Sequence, residues 1–389
     1  MPVQIGLDVL LTDALDLVRG RRVGLLAHPA SVDARMIHAV ELLRERPDVR
    51  LTALFGPQHG VRGETQANMI EWRSFRDPRT GLPVYSLYGD TRKPTEAMLQ
   101  EIDLLVIDLQ DVGSRYYTYI YTMALAMEAC REQGKQVLVL DRPNPLNGLD
   151  LEGPLLDPAF KSFVGLFPLP VRHAMTIAEL ARLFNTEFGI RCDLEVVPMR
   201  GWRREMFFDQ TGLAWVPPSP NMPRPETALV YPGLCLLEGT NVSEGRGTTL
   251  PFELSGAPWV DPDELAAGLT NLLSPGAHFR PVRFVPTFDK WTGHPIGGVQ
   301  IHVGDRRAFR PFRTGLELMR AYRSQGGRLF AWKSPPYEYE FELLPIDILC
   351  GTDTVRRTLE TGGDLEPLER RWEVELDRFR RLRERSLLY

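Results

Sequence analysis

Five polar runs carry side chains able to do chemistry on a small polar molecule. Four lie in the first half: His28-Pro29; GPQHGVRGETQ, with Gln58, His59, Arg62 and Glu64; DLQDVGSRYYTY, with Asp108, Asp111, Arg115, Tyr116 and Tyr117; and DRPNPLNG, with Asp141, Arg142, Asn144 and Asn147. The fifth, LLEGTNVSEGRGTT, sets Glu238, Asn241, Glu244 and Arg246 within nine residues, among glycines that let backbone approach a ligand closely. Such a mixture suits a sugar, whose hydroxyls want acids, asparagines and arginines and whose apolar face wants aromatic rings. Breaking a glycosidic bond further needs carboxyl groups to protonate the leaving oxygen and to support the oxocarbenium-like centre.

Each residue alone also has a structural reading. Asp108 and Asp111 could cap a helix or hold a loop, and His28 could be a satisfied strand-end histidine. Asn144 and Asn147 sit among prolines and a glycine, where a turn role suffices. Tyr116 and Tyr117 could be core, and the 238–249 run could be a glycine-rich surface loop. The functional case therefore rests on the cluster. A metal site could still be assembled through space from His28, His59, Asp108, Asp111 and His173, although no H-E-x-x-H spacing is present. No G-x-G-x-x-G follows the first strand and no G-x-x-x-x-G-K-[ST] occurs, so neither a dinucleotide nor a nucleoside triphosphate is suggested. The G-x-S-x-G elbow of serine hydrolases is missing too.

Regular elements must bring these runs together. Short, branched, apolar segments at 22–27, 51–55, 103–109, 136–140 and 194–197 read as strands. Helical periods at 34–46, 95–101, 119–133 and 176–188 fall between them, the last opening with Thr176 and Glu179 in capping-box spacing. Strands alternating with helices imply βαβ units and a parallel sheet. In such a sheet ligands bind beyond the carboxyl ends of the strands, where the four polar runs fall. From about Trp215 the chain becomes dense in proline, and VPPSPNMPRPETALVYPG reads as extended chain rather than helix. That passage divides 1–216, a Rossmann-like domain, from 217–389, a smaller α+β domain. In the second, 299–303 alternates like a strand, 315–323 reads as a helix, and Leu365, Leu368, Trp372, Leu376, Phe379 and Leu382 keep helical spacing.

At 389 residues the chain exceeds what one core usually serves, consistent with two domains. A net charge of -5 without single-sign blocks gives no reason to expect nucleic acid or an anionic membrane as partner. Four cysteines far apart, with no C-x-x-C, read as buried free thiols of a reducing compartment. The N-terminal stretch reads as an amphipathic helix rather than a signal peptide, and a cytoplasmic location is expected.

Several stretches, in order from about Val23 to the C-terminus, resemble one family. GPQHGVRGETQA, YSLYGDTRKP, DLQDVGSRYYTYIYTM, LDRPNPLNG, PVRHAMTIAEL, PPSPNMPRPETALVYPG and LLEGTNVSEGRGTT look like hallmarks of the exo-β-N-acetylmuramidases of the NamZ (YbbC) type. The resemblance implies a Rossmann-like domain, a smaller second domain and an active-site cleft between them. It implies release of N-acetylmuramic acid from non-reducing ends of peptidoglycan fragments, with no nucleotide cofactor. The expected catalytic set is Glu64, Glu244, Asp111, Asp108 and His59. Arg115 or Arg246 would hold the lactyl carboxylate, while Asn144, Asn241 and Asp141 would hold hydroxyls and Tyr116 would face the ring. Gln58, Arg62, His173, Asn221 and Glu238 complete the expected binding set. One departure matters: where the family commonly carries a glutamate before His59, this chain has Gln58, which cannot transfer a proton. Glu64, Asp111 or Glu244 would then supply the acid. Two readings from other classes stand beside this one, a metal-dependent hydrolase and a non-catalytic muropeptide-binding protein.

Overall fold

In a computed structural model of the chain, which describes residues 2–63, 65–66, 69–272 and 276–389, the apolar runs of the first half become strands. They are β1 (Arg22–Ala27), β2 (Arg50–Gly56), β3 (Phe75–Arg76), β4 (Pro83–Ser86), β5 (Leu104–Asp108), β6 (Gln136–Leu140) and β7 (Leu194–Val197). Among the described residues they form one seven-stranded sheet in the order β3-β4-β2-β1-β5-β6-β7, parallel except where β3 meets β4. β1 is flanked by β2 on one side and β5 on the other, so the chain switches direction across the sheet there. A crevice opens beyond the carboxyl ends of strands at such a point. The expected strands lie within two residues of these bounds. The β3–β4 pair was not expected: it is a short edge feature with little apolar run of its own.

Helices α1 (Gly6–Asp13) and α2 (Ala39–Arg44) cover one face of the sheet; α3 (Glu96–Leu99) is one turn beside it, and α4 (Tyr119–Glu132) and α5 (Ile177–Thr186) pack on the other. The helix expected over 34–46 is shortened to α2 for a local reason. Asp33 accepts the backbone N–H groups of Arg35 and Ile37, both at 2.9 Å, and Met36 is left-handed (φ 65°), so the chain turns before it coils. The capping box of α5 is present as expected, with Thr176 and Glu179 each accepting the other's backbone N–H.

The proline-dense passage is a partial correction. It is irregular as far as Arg224, but Pro225 then opens α6 (Pro225–Leu234), because a proline at the first helical position surrenders no hydrogen bond. Beyond it, β8 (Leu254–Ala257), α7 (Pro262–Leu272), β9 (Ala277–Phe284) and β10 (Ile296–Val303) build a three-stranded antiparallel sheet in the order β8-β10-β9. The layer is completed by α8 (Pro311–Gly326), and α9 (Pro345–Cys350), α10 (Thr354–Glu360) and α11 (Glu366–Arg383) follow. In α11 Trp372, Leu376 and Phe379 are buried, as their spacing requires. This is the expected pairing of a Rossmann-like sheet with a smaller α+β part. No described helix is long and apolar enough to cross a membrane.

One apolar core runs from the α4 face of the first sheet into the second part. Its tightest crossing is that of α6 with α8. A methyl group on Gly233 would stand 1.9 Å from the Pro311 carbonyl oxygen, and one on Gly315 would stand 2.3 Å from that of Gly233. Both neighbours are backbone and cannot turn aside. Gly315→Ala is therefore expected to lower stability by roughly 1–3 kcal/mol through overpacking. Urea unfolding would register this as a lower midpoint, and an unchanged midpoint would refute so close a crossing.

Candidate active site

β2 ends at Gly56, and two successive left-handed residues, His59 (φ 70°) and Gly60 (φ 82°), turn the chain sharply back. That turn sets Gln58 and His59 in a pocket facing the segment between β5 and α4. From that segment come Tyr116, Tyr117, Thr118 and Tyr119. Thr118 stands at the N-cap of α4 without capping it. Its hydroxyl instead donates to Gln58 Oε1 at 2.9 Å, giving up a capping bond of about 1 kcal/mol to fix an amide. Tyr119 donates to the Pro218 carbonyl at 2.8 Å, and its ring meets His28 edge-on with centroids 5.1 Å apart. Burial holds the His28 pKa down to about 3, so that contact is with a neutral imidazole.

The second domain closes the pocket. The turn after α6, at 235–239, supplies Glu238, and the following loop doubles back through left-handed Gly245 and Gly247 to return Arg246 beside it. Arg246 donates to Glu238 Oε1 at 2.7 Å and lies over the Phe252 ring, while Tyr337 donates to Glu238 Oε2 at 2.7 Å. Tyr231 from α6, Asn221, Tyr337 and Glu338 complete the wall. Glu338 Oε2 accepts from the Tyr88 hydroxyl at 2.8 Å, and Oε1 accepts from Gln58 Nε2 at 3.4 Å. As it stands the pocket encloses about 40 Å³, far less than the usual volume of a small-ligand site. A sugar ring fits there only if the lining side chains move apart.

The two carboxyl groups are held in opposite states. Burial would raise the Glu238 pKa, but the Arg246 cation and the two hydrogen bonds outweigh it and hold it below its ordinary value. Burial pushes Glu338 up to about 7, with the Glu238 charge adding to the rise. His59, with a pKa lowered to about 4 by burial, is neutral; its Nδ1 bonds the Thr65 carbonyl at 2.8 Å and leaves Nε2 as an acceptor.

Of the residues singled out in the sequence, the pocket gathers Gln58, His59, Tyr116, Asn221, Glu238 and Arg246. Glu64 lies outside the described residues. The rest are placed elsewhere. Asp108 is fully buried in a two-contact ion pair with Arg142, at 2.5 and 2.8 Å. Asp141 accepts from Thr176, the Ala178 N–H and Tyr389, so it anchors α5 and the chain end. Asp111 takes the Gly113 N–H at 2.6 Å and stands 3.2 Å from His173 Nε2, and neither lines the pocket. Arg115 is fully buried, donates to the carbonyls of Pro154, Leu169 and Leu349, and does not line the pocket. Asn144 bonds the Met175 carbonyl and the Leu146 N–H within its turn. Asn241 pairs with the backbone of Leu329 and Ala331. Glu244 sits behind Arg246, paired with it at 3.3 Å and with Lys290 at 2.8 Å. Arg62 faces Glu41 and Asp77 at 3.6 and 3.8 Å and does not line the pocket. Of the four strand-end runs, those after β2 and β5 thus reach the pocket, joined by the run of the second domain, while those after β1 and β6 are buried beside it. Among the described residues no group of three acids, histidines or cysteines is spaced to hold a metal ion.

Tyr88, Tyr231, Tyr337 and Glu338 were missed. The signal for the last pair was present in SPPYEYEFE, where acids alternate with aromatic rings after two prolines, but no known spacing draws attention to it.

The chain is similar to known proteins over its whole length. Residues 23–226 match the model of the N-terminal domain of exo-β-N-acetylmuramidase NamZ, and residues 229–389 match that of its C-terminal domain. The peptidoglycan β-N-acetylmuramidase NamZ of Bacillus subtilis (strain 168) is 48% identical over 390 residues, covering 100% of this chain and 91% of the relative. Crystal structures of two DUF1343 family proteins from Bacteroides fragilis NCTC 9343 superpose with TM-scores of 0.90 and 0.79, at 37% and 30% identity. Both alignments cover 100% of this chain and 99% of the other. With both domain models matched in order and nearly half the residues of a full-length relative shared, this chain belongs to the NamZ family of exo-β-N-acetylmuramidases.

Proposed function

We propose that the pocket between the two domains is where this chain, as an exo-acting glycoside hydrolase, releases N-acetylmuramic acid from the non-reducing ends of peptidoglycan fragments. The observation that carries the reading is the pair Glu238 and Glu338 in one aromatic pocket, the first bonded by the Arg246 guanidinium that holds its pKa below the ordinary value, the second bonded by a phenol and an amide and pushed up by burial to about 7. Two carboxyl groups pushed apart in this way are what glycoside hydrolysis requires.

Arg246 is the cation that lines the pocket among the described residues, and its planar fork fits the lactyl carboxylate peculiar to muramic acid. The tyrosine rings offer a face to the sugar, and Glu238 supports positive charge developing at the anomeric carbon. Cytoplasmic recycling of wall fragments is the setting we assign, in keeping with four buried, unpaired cysteines.

Incubation with para-nitrophenyl N-acetylmuramic acid beside the corresponding glucosaminide tests the reading. Release of nitrophenol from the first and not the second is expected. Equal cleavage of both, or of neither, would count against it.

A further inference from the structure

We propose that Glu338, carried into the pocket by the second domain, donates the proton to the departing glycosidic oxygen, with Gln58 and Tyr88 as its positioning residues. The assignment rests on the muramidase reading above and names its acid.

Among the described residues two carboxyl groups line the pocket, and they are not equivalent. Glu238 faces a guanidinium, so it is the poorer proton carrier. Glu338 forms no ion pair among the described residues; its partners are a phenol and an amide, both neutral. The shorter bond, from Tyr88, goes to Oε2, and the longer, from Gln58, goes to Oε1, which is therefore the oxygen better left to carry the proton. Gln58 cannot itself exchange a proton, but Thr118 fixes its amide so that the NH₂ group faces Glu338. The residue at the end of β2 thus orients an acid that stands 280 positions away in the chain.

Backbone geometry points the same way. Glu338 and Tyr339 are both left-handed, at φ 44° and 67°, and neither is a glycine. Residues held so cost about 1–3 kcal/mol each and persist where surrounding contacts over-determine them. Those contacts reach into the first domain: the Tyr339 hydroxyl donates to Glu71 at 3.0 Å, and Arg92 stacks on its ring. The strained turn aims one carboxyl group into the pocket and ties it across the domain boundary.

In the step itself the bond from the anomeric carbon to the bridging oxygen breaks. Its electron pair stays on that oxygen, which takes the Glu338 proton. One water completes the reaction: its hydroxyl goes to the anomeric carbon and its remaining proton restores the carboxyl group. A pKa raised to about 7 keeps the donor loaded below neutrality and empties it above, so activity falls as pH rises through about 7.

The test uses the full chain and two substrates. N-acetylmuramic acid linked to N-acetylglucosamine has a leaving group that needs a proton; the para-nitrophenyl glycoside does not. Glu338→Gln should lose about 100-fold or more on the disaccharide, but less than about tenfold on the aryl glycoside, with its alkaline limb gone. Equal loss on both substrates, or near-native cleavage of the disaccharide, overturns the assignment. So does Glu64→Gln if it alone shows this split. Tyr88→Phe gives an independent reading should Glu338→Gln fold poorly. Losing a hydrogen bond that favours the ionised carboxyl should move the alkaline limb to higher pH, and an unmoved limb overturns the proposal. A wild-type chain inert on both substrates overturns the muramidase reading and this assignment with it.

Discussion

Replacing Arg246 by methionine is expected to destabilise the fold by roughly 3–5 kcal/mol and to abolish discrimination between muramyl and glucosaminyl substrates. The stability effect follows from what is left behind. Arg246 is buried and stands between two buried carboxylates, Glu238 and Glu244. Lys290 still pairs with Glu244 after the change, whereas Glu238 loses the guanidinium that donates to its Oε1 and keeps the Tyr337 hydroxyl on Oε2. A buried carboxylate stripped of its cation costs far more than the pair contributed while intact.

The pH dependence separates that cause from simple misfolding. The Glu238 pKa in the folded chain lies below its ordinary value of 4.5, so its stabilisation is present above that value and fades as pH falls through the lowered one. The gap between wild type and Arg246→Met should accordingly be widest near neutrality and shrink in acid. Adding Glu238→Gln to the methionine variant removes the buried charge that lost its guanidinium and should recover most of the lost stability. Discrimination should not return with it, because the lactyl carboxylate still has no cation. A two-contact charge-assisted interaction is worth about 1.5–3 kcal/mol, which corresponds to a preference of about 10- to 100-fold. Thermal melts and kcat/KM for the muramyl and glucosaminyl glycosides measure the two effects separately. A stable double variant that keeps the muramyl preference would remove Arg246 from substrate recognition.

The contrast between Arg246 and Arg115 shows how far the sequence could be read. Both are arginines in polar, glycine-bearing runs, and composition alone makes them equal candidates for a substrate carboxylate. Placement decides between them: Arg115 is spent on three backbone carbonyls, whereas Arg246 lines the pocket. The strands were legible because continuous apolar runs bounded by polar turns have few other meanings. Their polar ends were half legible. A buried ion pair that ties strands together and a pocket that binds sugar draw on the same residue types, and one-dimensional order does not separate them. Glu338 was illegible for another reason. Its role depends on Gln58 and Tyr88, which only the closure of the second domain onto the first brings within hydrogen-bonding distance.

The same ambiguity makes Asp108 the sharpest test of the placement beside the pocket. If its work is to tie the end of β5 to the segment after β6, Asp108→Asn should cost roughly 3–5 kcal/mol of stability and leave kcat for the folded enzyme within about twofold. The carboxylate is fully buried and accepts from Arg142 Nε and from a terminal guanidinium nitrogen, which also donates to the Val32 carbonyl at 3.1 Å. An amide keeps the shape but removes the charge, and it turns one acceptor into a donor facing a cation. The loss should show as a lower urea midpoint, with a double change of Asp108 and Arg142 to leucine and methionine recovering part of it. Activity must be scaled to the folded fraction, since a destabilised population lowers apparent turnover without touching the chemistry. A variant that keeps its midpoint yet loses about 100-fold in kcat would return Asp108 to the catalytic role its position at a strand end suggested. Retained turnover with lowered stability would leave the chemistry to the pocket that the second domain closes.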